Sequence, residues 1–89
     1  MKAVITVIGK DMVGILARVS GACAEYNVNV LEVTQSVLQD LFAMVMLVDI
    51  AKLQGDFKDL AASMEKIGAE MGLSIHVMHE DIFNSMHRI

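Results

Sequence analysis

Hydrophobic residues repeat along the chain with two different periods, and these periods predict four strands and two long helices. Four segments rich in β-branched or other apolar residues are typical of strands: 3–8, 28–38, 41–48 and 73–78. Apolar residues at helical spacing follow the first strand, at Ile15, Val19, Ala22, Cys23 and Tyr26. A second helical series follows the third strand, at Phe57, Leu60, Met64, Ile67 and Met71. The predicted order is therefore βαββαβ.

Residues at the ends of these segments suit the expected starts and stops. Gly9 can end the first strand abruptly, and Asp11 is expected to accept hydrogen bonds from the first free N–H groups of the first helix. Asp56 is expected to cap the second helix and Gly72 to end it. Gly14 has no side chain, so a neighbouring strand, a partner chain or a small ligand could approach its backbone. The first turn is therefore a candidate for function.

The simplest closure of a βαββαβ chain is the ferredoxin-like split-βαβ arrangement, an antiparallel sheet with both helices on one face. In this α+β sandwich the first and third strands are central, and they are the ones that are apolar on both faces. The second and fourth strands are edges, and they carry polar residues: Glu32, Gln35, Ser74 and His76. Because no repeat or linker interrupts the chain, we expect one domain over residues 1–89, with a core of about 1–80.

A helical pattern returns from Asp81 onward. Its apolar residues lie on one stripe: Ile82, Phe83, Met86 and Ile89. So short a helix is marginal in water unless it docks on a surface. The two long helices leave one apolar sheet face bare, so we expect the extension at 81–89 to pack against the sheet or a dimer interface.

Composition favours self-association. The chain has 89 residues, of which 55% are hydrophobic, above the usual range of about 45–50%. A domain of this size has little interior for that excess, so an obligate or near-obligate homodimer is predicted. The longest apolar run, 41–48, is shorter than the roughly 20 residues of a membrane span. The first strand follows Lys2 directly, which leaves no room for a signal peptide, and cytoplasmic residence is the default expectation.

Charge and candidate chemistry narrow the function further. The formal net charge of −4 and the scattered basic residues argue against a nucleic-acid partner. His76 and His79 are three residues apart on a strand, so their side chains leave on opposite faces and cannot share a metal ion. The lone Cys23 is expected in the core rather than as a nucleophile. Because no nucleophile elbow, phosphate-binding loop or paired-carboxylate motif is present, we expect neither catalysis nor a cofactor.

Two short motifs remain, one in the first turn and one at the start of the second strand. The turn has the sequence Asp11-Met12-Val13-Gly14-Ile15-Leu16-Ala17, and the second strand is entered through Ala24-Glu25-Tyr26-Asn27-Val28-Asn29-Val30. Together they resemble the signature of ACT domains, small βαββαβ modules that bind amino acids and regulate metabolic enzymes. The typical pattern has an acidic or amide residue, a basic residue, a proline, a glycine and two aliphatics, with an Asn-Ile pair opening the second strand. The chain departs from it at Met12 and Val13, which replace the basic residue and the proline.

The resemblance covers about the first 80 residues and extends to the end of the chain. The ending His79-Glu80-Asp81-Ile82-Phe83, with Met86-His87-Arg88-Ile89, is similar to that of small stand-alone ACT proteins of bacteria and archaea. The opening Gly9-Lys10-Asp11 also resembles the ACT segments of formyltetrahydrofolate deformylases and glycine-cleavage regulators.

The resemblance implies a regulatory module that binds an amino acid or a similar small metabolite and signals to a protein partner. In ACT regulators the ligand lies at a dimer interface, between the turn of one subunit and an asparagine of the other. By position, the ligand-binding residues are then Asp11, Met12, Val13, Gly14, Ile15 and Asn29. N–H groups at a helix N-terminus suit a carboxylate, and Asp11 suits an ammonium group.

A simpler explanation of the turn remains open. Asp11 can serve only to cap the helix, and Gly14 only to permit close packing. The chain would then be a ligand-free dimerisation or protein-interaction module, which is a different class of function.

Overall fold

The computed structural model describes residues 1–86, which form one antiparallel sheet and three helices. In chain order the elements are β1 (Lys2–Lys10), α1 (Ile15–Glu25), β2 (Asn29–Leu38), β3 (Leu41–Asp49), α2 (Phe57–Met71), β4 (Leu73–His79) and α3 (Glu80–Met86). The predicted order of strands and helices is therefore confirmed, including a short helix after the last strand.

The strand order in the sheet is β2-β3-β1-β4, so β1 and β3 are central and β2 and β4 are edges, as predicted. Every pairing is antiparallel: Val7 of β1, for example, lies opposite Met44 on one side and Ile75 on the other. A bulge interrupts the ladder between β2 and β3 at Val30 and Glu32. The ferredoxin-like α+β arrangement is confirmed.

One face of the sheet forms the core together with α1 and α2. From β1 come Ala3, Ile5 and Val7, none of which has exposed surface. The strand β3 and the two helices supply further side chains with almost no exposed surface: Met44, Met46, Val48, Val19, Leu60 and Met64. No polar or charged side chain is buried among residues 1–86. Removal of apolar surface from water is therefore the main source of stability in this core.

The helix α2 begins and ends where the sequence predicted. Asp56 is its N-cap residue, and the backbone N–H of Asp56 donates to the carboxylate of Asp59 at 3.2 Å. Gly72 follows the last turn with a left-handed φ of 70°. Glycine adopts this angle more readily than other residues and is common after helices for that reason.

The helix α1 begins differently from the prediction. Its N-cap residue is Gly14, with φ of 90°, and no side chain in residues 1–86 caps it. The backbone N–H of Asp11 instead donates to the carbonyl of Asp40 at 2.9 Å, which joins the turn to the hairpin between β2 and β3. The predicted cap is wrong because a carboxylate reaches the first free N–H groups from the N-cap position itself, and Asp11 lies before it.

The sheet face away from α1 and α2 is only partly covered. On this face Ile8 keeps 50% of its surface exposed and Val45 keeps 40%. The helix α3 contacts β1 and β4, as expected for the extension, but Ile82 and Met86 remain 53% and 65% exposed. Ile89, the last residue of the predicted stripe, lies outside the described residues. Residues 1–86 therefore leave apolar surface uncovered on this side.

Candidate functional site

The turn between β1 and α1 presents exposed residues at one end of the sheet. Asp11, Met12, Val13 and Gly14 are all exposed, and Val13 is almost completely so, at 99%. Ile15, which was also predicted to contact a ligand, has its side chain in the core. It can offer a ligand only its backbone. The other four predicted residues of the turn are accessible.

The start of α1 has backbone N–H groups without an acceptor in residues 1–86. The first intrahelical bond runs from the N–H of Arg18 to the carbonyl of Gly14 at 3.0 Å. The N–H groups of residues 15–17 precede that bond and lie at the open end of the helix. The first turn contains no acidic residue that would neutralise the positive end of the helix dipole. This end of α1 therefore suits a small anion such as a carboxylate.

The backbone angle of Gly14 gives a stability prediction. A Cβ placed on Gly14 would meet no atom of the described chain within 4 Å, so packing within the chain does not explain the glycine. The φ of 90° at this position explains the glycine, because β-branched residues are strained at such angles. We expect Gly14→Val to lower the free energy of unfolding by about 1–3 kcal/mol in urea denaturation. Gly14→Asn is the control. Asparagine tolerates left-handed angles, so this variant should lose clearly less free energy of unfolding than Gly14→Val. Equal losses would contradict a backbone origin.

Asn29 lies at the opposite end of the sheet from the turn. The strand β1 pairs Lys10 with Leu41 at one end and Lys2 with Asp49 at the other, and Asn29 lies opposite Asp49. At about 3.3 Å per strand residue, the two ends are about 25 Å apart. The predicted site residues therefore form two separate groups that one chain cannot bring together.

A cleft of about 440 Å³ surrounds Asn29. Its walls are the end of α1, the start of β2 and the loop after β3, and it is lined by Ala24, Asn27, Val28, Asn29, Asp49, Ala51 and Lys52. Nδ2 of Asn27 donates to the carbonyl of Lys52 at 3.0 Å, and the N–H of Ala51 donates to Oδ1 of Asp49 at 2.9 Å. Asn27, Asp49 and Lys52 were not among the predicted site residues, and the only sequence signal for them is the closely spaced pair of asparagines, Asn27 and Asn29.

Residues 1–86 contain neither an activated thiol nor a cluster of metal ligands. Burial raises the pKa of the Cys23 thiol to about 11, so this thiol stays protonated and unreactive near neutral pH. No group of three or more His, Cys, Asp or Glu residues in this range could hold a metal ion. None of its helices has the length and apolar character needed to cross a membrane. The turn and the cleft do contain charged side chains and hydrogen-bonding groups that could contact a small ligand.

Comparison with known proteins shows what the chain is similar to. Residues 2–78 match the model of a family described as ACT domain. A UPF0237 protein of Methanococcus maripaludis is 48% identical, over 97% of this chain and 96% of that protein. Among solved structures, an ACT domain protein from Streptococcus pneumoniae is 38% identical with a TM-score of 0.79, and 93% of each chain is covered. The ligand-free regulatory subunit of aspartate kinase from Thermus thermophilus is 29% identical with a TM-score of 0.65, over 85% of this chain and 49% of that one.

Proposed function

The chain belongs to the ACT domain family, and on this premise we propose that it binds an amino acid or a similar small metabolite where two copies of it meet. Members of the family typically serve as regulatory ligand-binding modules. The observation that carries the proposal is the separation of the candidate residues into two groups at opposite ends of one sheet. A ligand that contacts both groups must lie between two chains.

The edge strand β2 offers a way to join the two groups. Its outer edge pairs with no other strand of residues 1–86, and an open edge can pair with a second chain. If two β2 strands pair antiparallel about a two-fold axis, Asn29 of one copy lies beside Leu38 of the other. The hairpin after Leu38 includes Asp40, whose carbonyl accepts the N–H of Asp11. The turn of one copy would then face the cleft of the other, twice in each dimer.

Exposed apolar side chains near the same edge support this pairing. Val33, Val37 and Leu38 of β2 keep 39%, 53% and 72% of their surfaces exposed. Met12 and Leu16, at the turn and the start of α1, keep 45% and 39%. Covering such side chains removes apolar surface from water, which is favourable. A second copy would cover these side chains and would account for the hydrophobic excess of the composition.

Each group of residues would hold a different part of an amino acid. The free N–H groups at residues 15–17 would donate to the carboxylate, and Asp11 would accept from the ammonium group. The side-chain amide of Asn29 from the other copy can donate a hydrogen bond to the ligand's carboxylate and accept one from its ammonium group. Burial keeps the thiol of Cys23 neutral, so no covalent step is assigned to it.

A ligand-free dimerisation or protein-interaction module is the second candidate. The observation that favours it is the apolar character of the turn, in which Met12 is 45% exposed and Val13 is 99% exposed. Such a turn could insert into a hydrophobic pocket of another protein instead of receiving a charged ligand. The two candidates differ in one measurable result, which is the response to free amino acids.

Mixing of two variant chains tests whether the site is shared. Free amino acids are first screened by thermal shift, in which a ligand at about 100 times its Kd adds about 2.7 kcal/mol of stability. We expect Asp11→Ala and Asn29→Ala each to abolish the response, because each variant alters both sites of a dimer. A one-to-one mixture should regain binding at about a quarter of the sites, since about half of the dimers would then have one intact site.

The mixing experiment has an internal control. Both altered side chains are exposed, so neither variant should unfold the protein. Asp81→Ala removes an exposed acid from α3 and should leave the response intact. A screen in which no amino acid raises the melting temperature would favour the ligand-free module. A mixture that regains nothing would contradict a site shared between two copies.

A further inference from the structure

Two charged residues line the cleft around Asn29, Asp49 and Lys52, and the proposed function has no role for either. Oδ1 of Asp49 accepts the N–H of Ala51 at 2.9 Å and lies 3.9 Å from the amino group of Met1, while Oδ2 has no partner in residues 1–86. The ammonium group of Lys52 forms no ion pair in the same range, with Asp49 or with any other acid. The cleft is therefore lined by an acid with one carboxylate oxygen free to accept and by a lysine that has no ion-pair partner in residues 1–86.

We infer that this cleft receives the side chain of the bound amino acid and selects one that ends in a carboxamide. The inference rests on the proposed function, because the turn of the second copy must hold the α-carboxylate and the α-ammonium group. A carboxamide has a carbonyl acceptor for Lys52 and an NH2 donor for Asp49. It can therefore satisfy both charged groups of the cleft at once.

The other classes of side chain leave at least one of these charges unsatisfied. A carboxylate is attracted by Lys52 but repelled by Asp49, whose ion pair with the exposed amino group of Met1 at 3.9 Å is weak. A cationic side chain meets the reverse pair of forces. An apolar side chain would remove both charged groups from water without giving them a hydrogen bond, which is costly. Sites that hydrogen-bond a polar group discriminate strongly against ligands that lack it. Glutamine and asparagine are therefore the favoured ligands.

The walls of the cleft are held in position by backbone and amide hydrogen bonds. Asn27 adopts a left-handed φ of 58° and binds the carbonyl of Lys52 through Nδ2 at 3.0 Å, which ties the loop after β3 to the start of β2. Asn29 and Asp49 are direct partners in the β2–β3 ladder. Because these bonds form within one chain, the cleft is organised before a ligand arrives, and less ordering is needed on binding.

Amino acids that match in shape and differ in the terminal group test this inference on the intact protein. Calorimetric titration would compare glutamine with glutamate and asparagine with aspartate. We expect one of the amides to bind at least about tenfold more tightly than its acid. Asp49→Asn should narrow or reverse this ratio, because the repulsion of the acid is lost while Lys52 still attracts it. The new asparagine keeps an oxygen that can accept the N–H of Ala51, so the loop is preserved.

A matched variant separates this effect from a general change of charge. Asp81→Asn makes the same change in α3, outside the cleft, and should leave the ratio unaltered. Two results would overturn the inference: an acidic or apolar amino acid that binds most tightly, or an amide-to-acid affinity ratio that Asp49→Asn does not change. Recovery of binding in the mixing experiment would still support the shared site in either case. A screen with no binding amino acid would overturn both proposals.

Discussion

Gly68→Ala is expected to destabilise the protein by about 1–3 kcal/mol, although alanine forms helices more readily than glycine. Gly68 lies in α2, where this helix meets the start of β4. A Cβ added to it would lie 2.6 Å from the carbonyl oxygen of Leu73 and 3.3 Å from Cγ1 of Ile75. Leu73 is paired with Gly9 of β1, so its backbone cannot yield without disturbing the sheet. The helix would have to move away from β4 and loosen the core beneath it.

Gly21→Ala is the matched control in α1, and its effect should have the opposite sign. No atom of the described chain lies within 4 Å of a Cβ at Gly21. Alanine should therefore stabilise the helix by about 0.5–1 kcal/mol through its better propensity. Urea denaturation measures both variants at one protein concentration, because self-association would shift the apparent stability. Two losses of similar size would show that the close approach of α2 to β4 is not the cause.

The arrangement of the strands could be predicted because two patterns agreed: the βαββαβ order of the elements and the distribution of apolar residues over the faces of the strands. The strands β1 and β3 are apolar on both faces, which is typical of strands in the middle of a covered sheet. The ends of α2 were also predictable, since Asp56 and Gly72 are residue types that the N-cap position and the end of a helix favour. The start of α1 was not predictable, because the helix begins after Gly14, whose left-handed φ angle cannot be read from the sequence. A glycine in a sequence permits such an angle without saying where a helix begins.

The candidate site was predicted only as far as local motifs reach. Asp11, Gly14 and Asn29 lie in motifs that the family resemblance recognises, whereas the cleft depends on the pairing of distant segments. Asp49 lies opposite Asn29 only because of the pairing register of β2 and β3, and a bulge between Val30 and Glu32 shifts that register. No local pattern connects these two positions. The burial of Ile15, by contrast, was already indicated by its place on the apolar face of the first helix.

Leu60→Ala is expected to lower the free energy of unfolding by about 2–5 kcal/mol. Leu60 has no exposed surface and lies in the same core cluster as Met46 and Met64, which are also fully buried. The strand β3 is hydrogen-bonded on both sides, so the sheet cannot collapse into the cavity that the lost atoms leave. For a chain of 89 residues, a total stability of about 5–10 kcal/mol is typical. This one truncation would then remove a large fraction of it.

Ile82→Ala in α3 is the exposed counterpart of that truncation. Ile82 already has 53% of its surface exposed, so its loss should cost only about 0.5 kcal/mol in the same urea denaturation. A cost similar to that of Leu60→Ala would mean that a second copy buries α3, since no residue of this helix is buried within residues 1–86. A neutral result for Leu60→Ala would contradict the packing of α2 against the sheet, because no fully buried leucine can lose three carbon atoms from a close-packed core without a penalty.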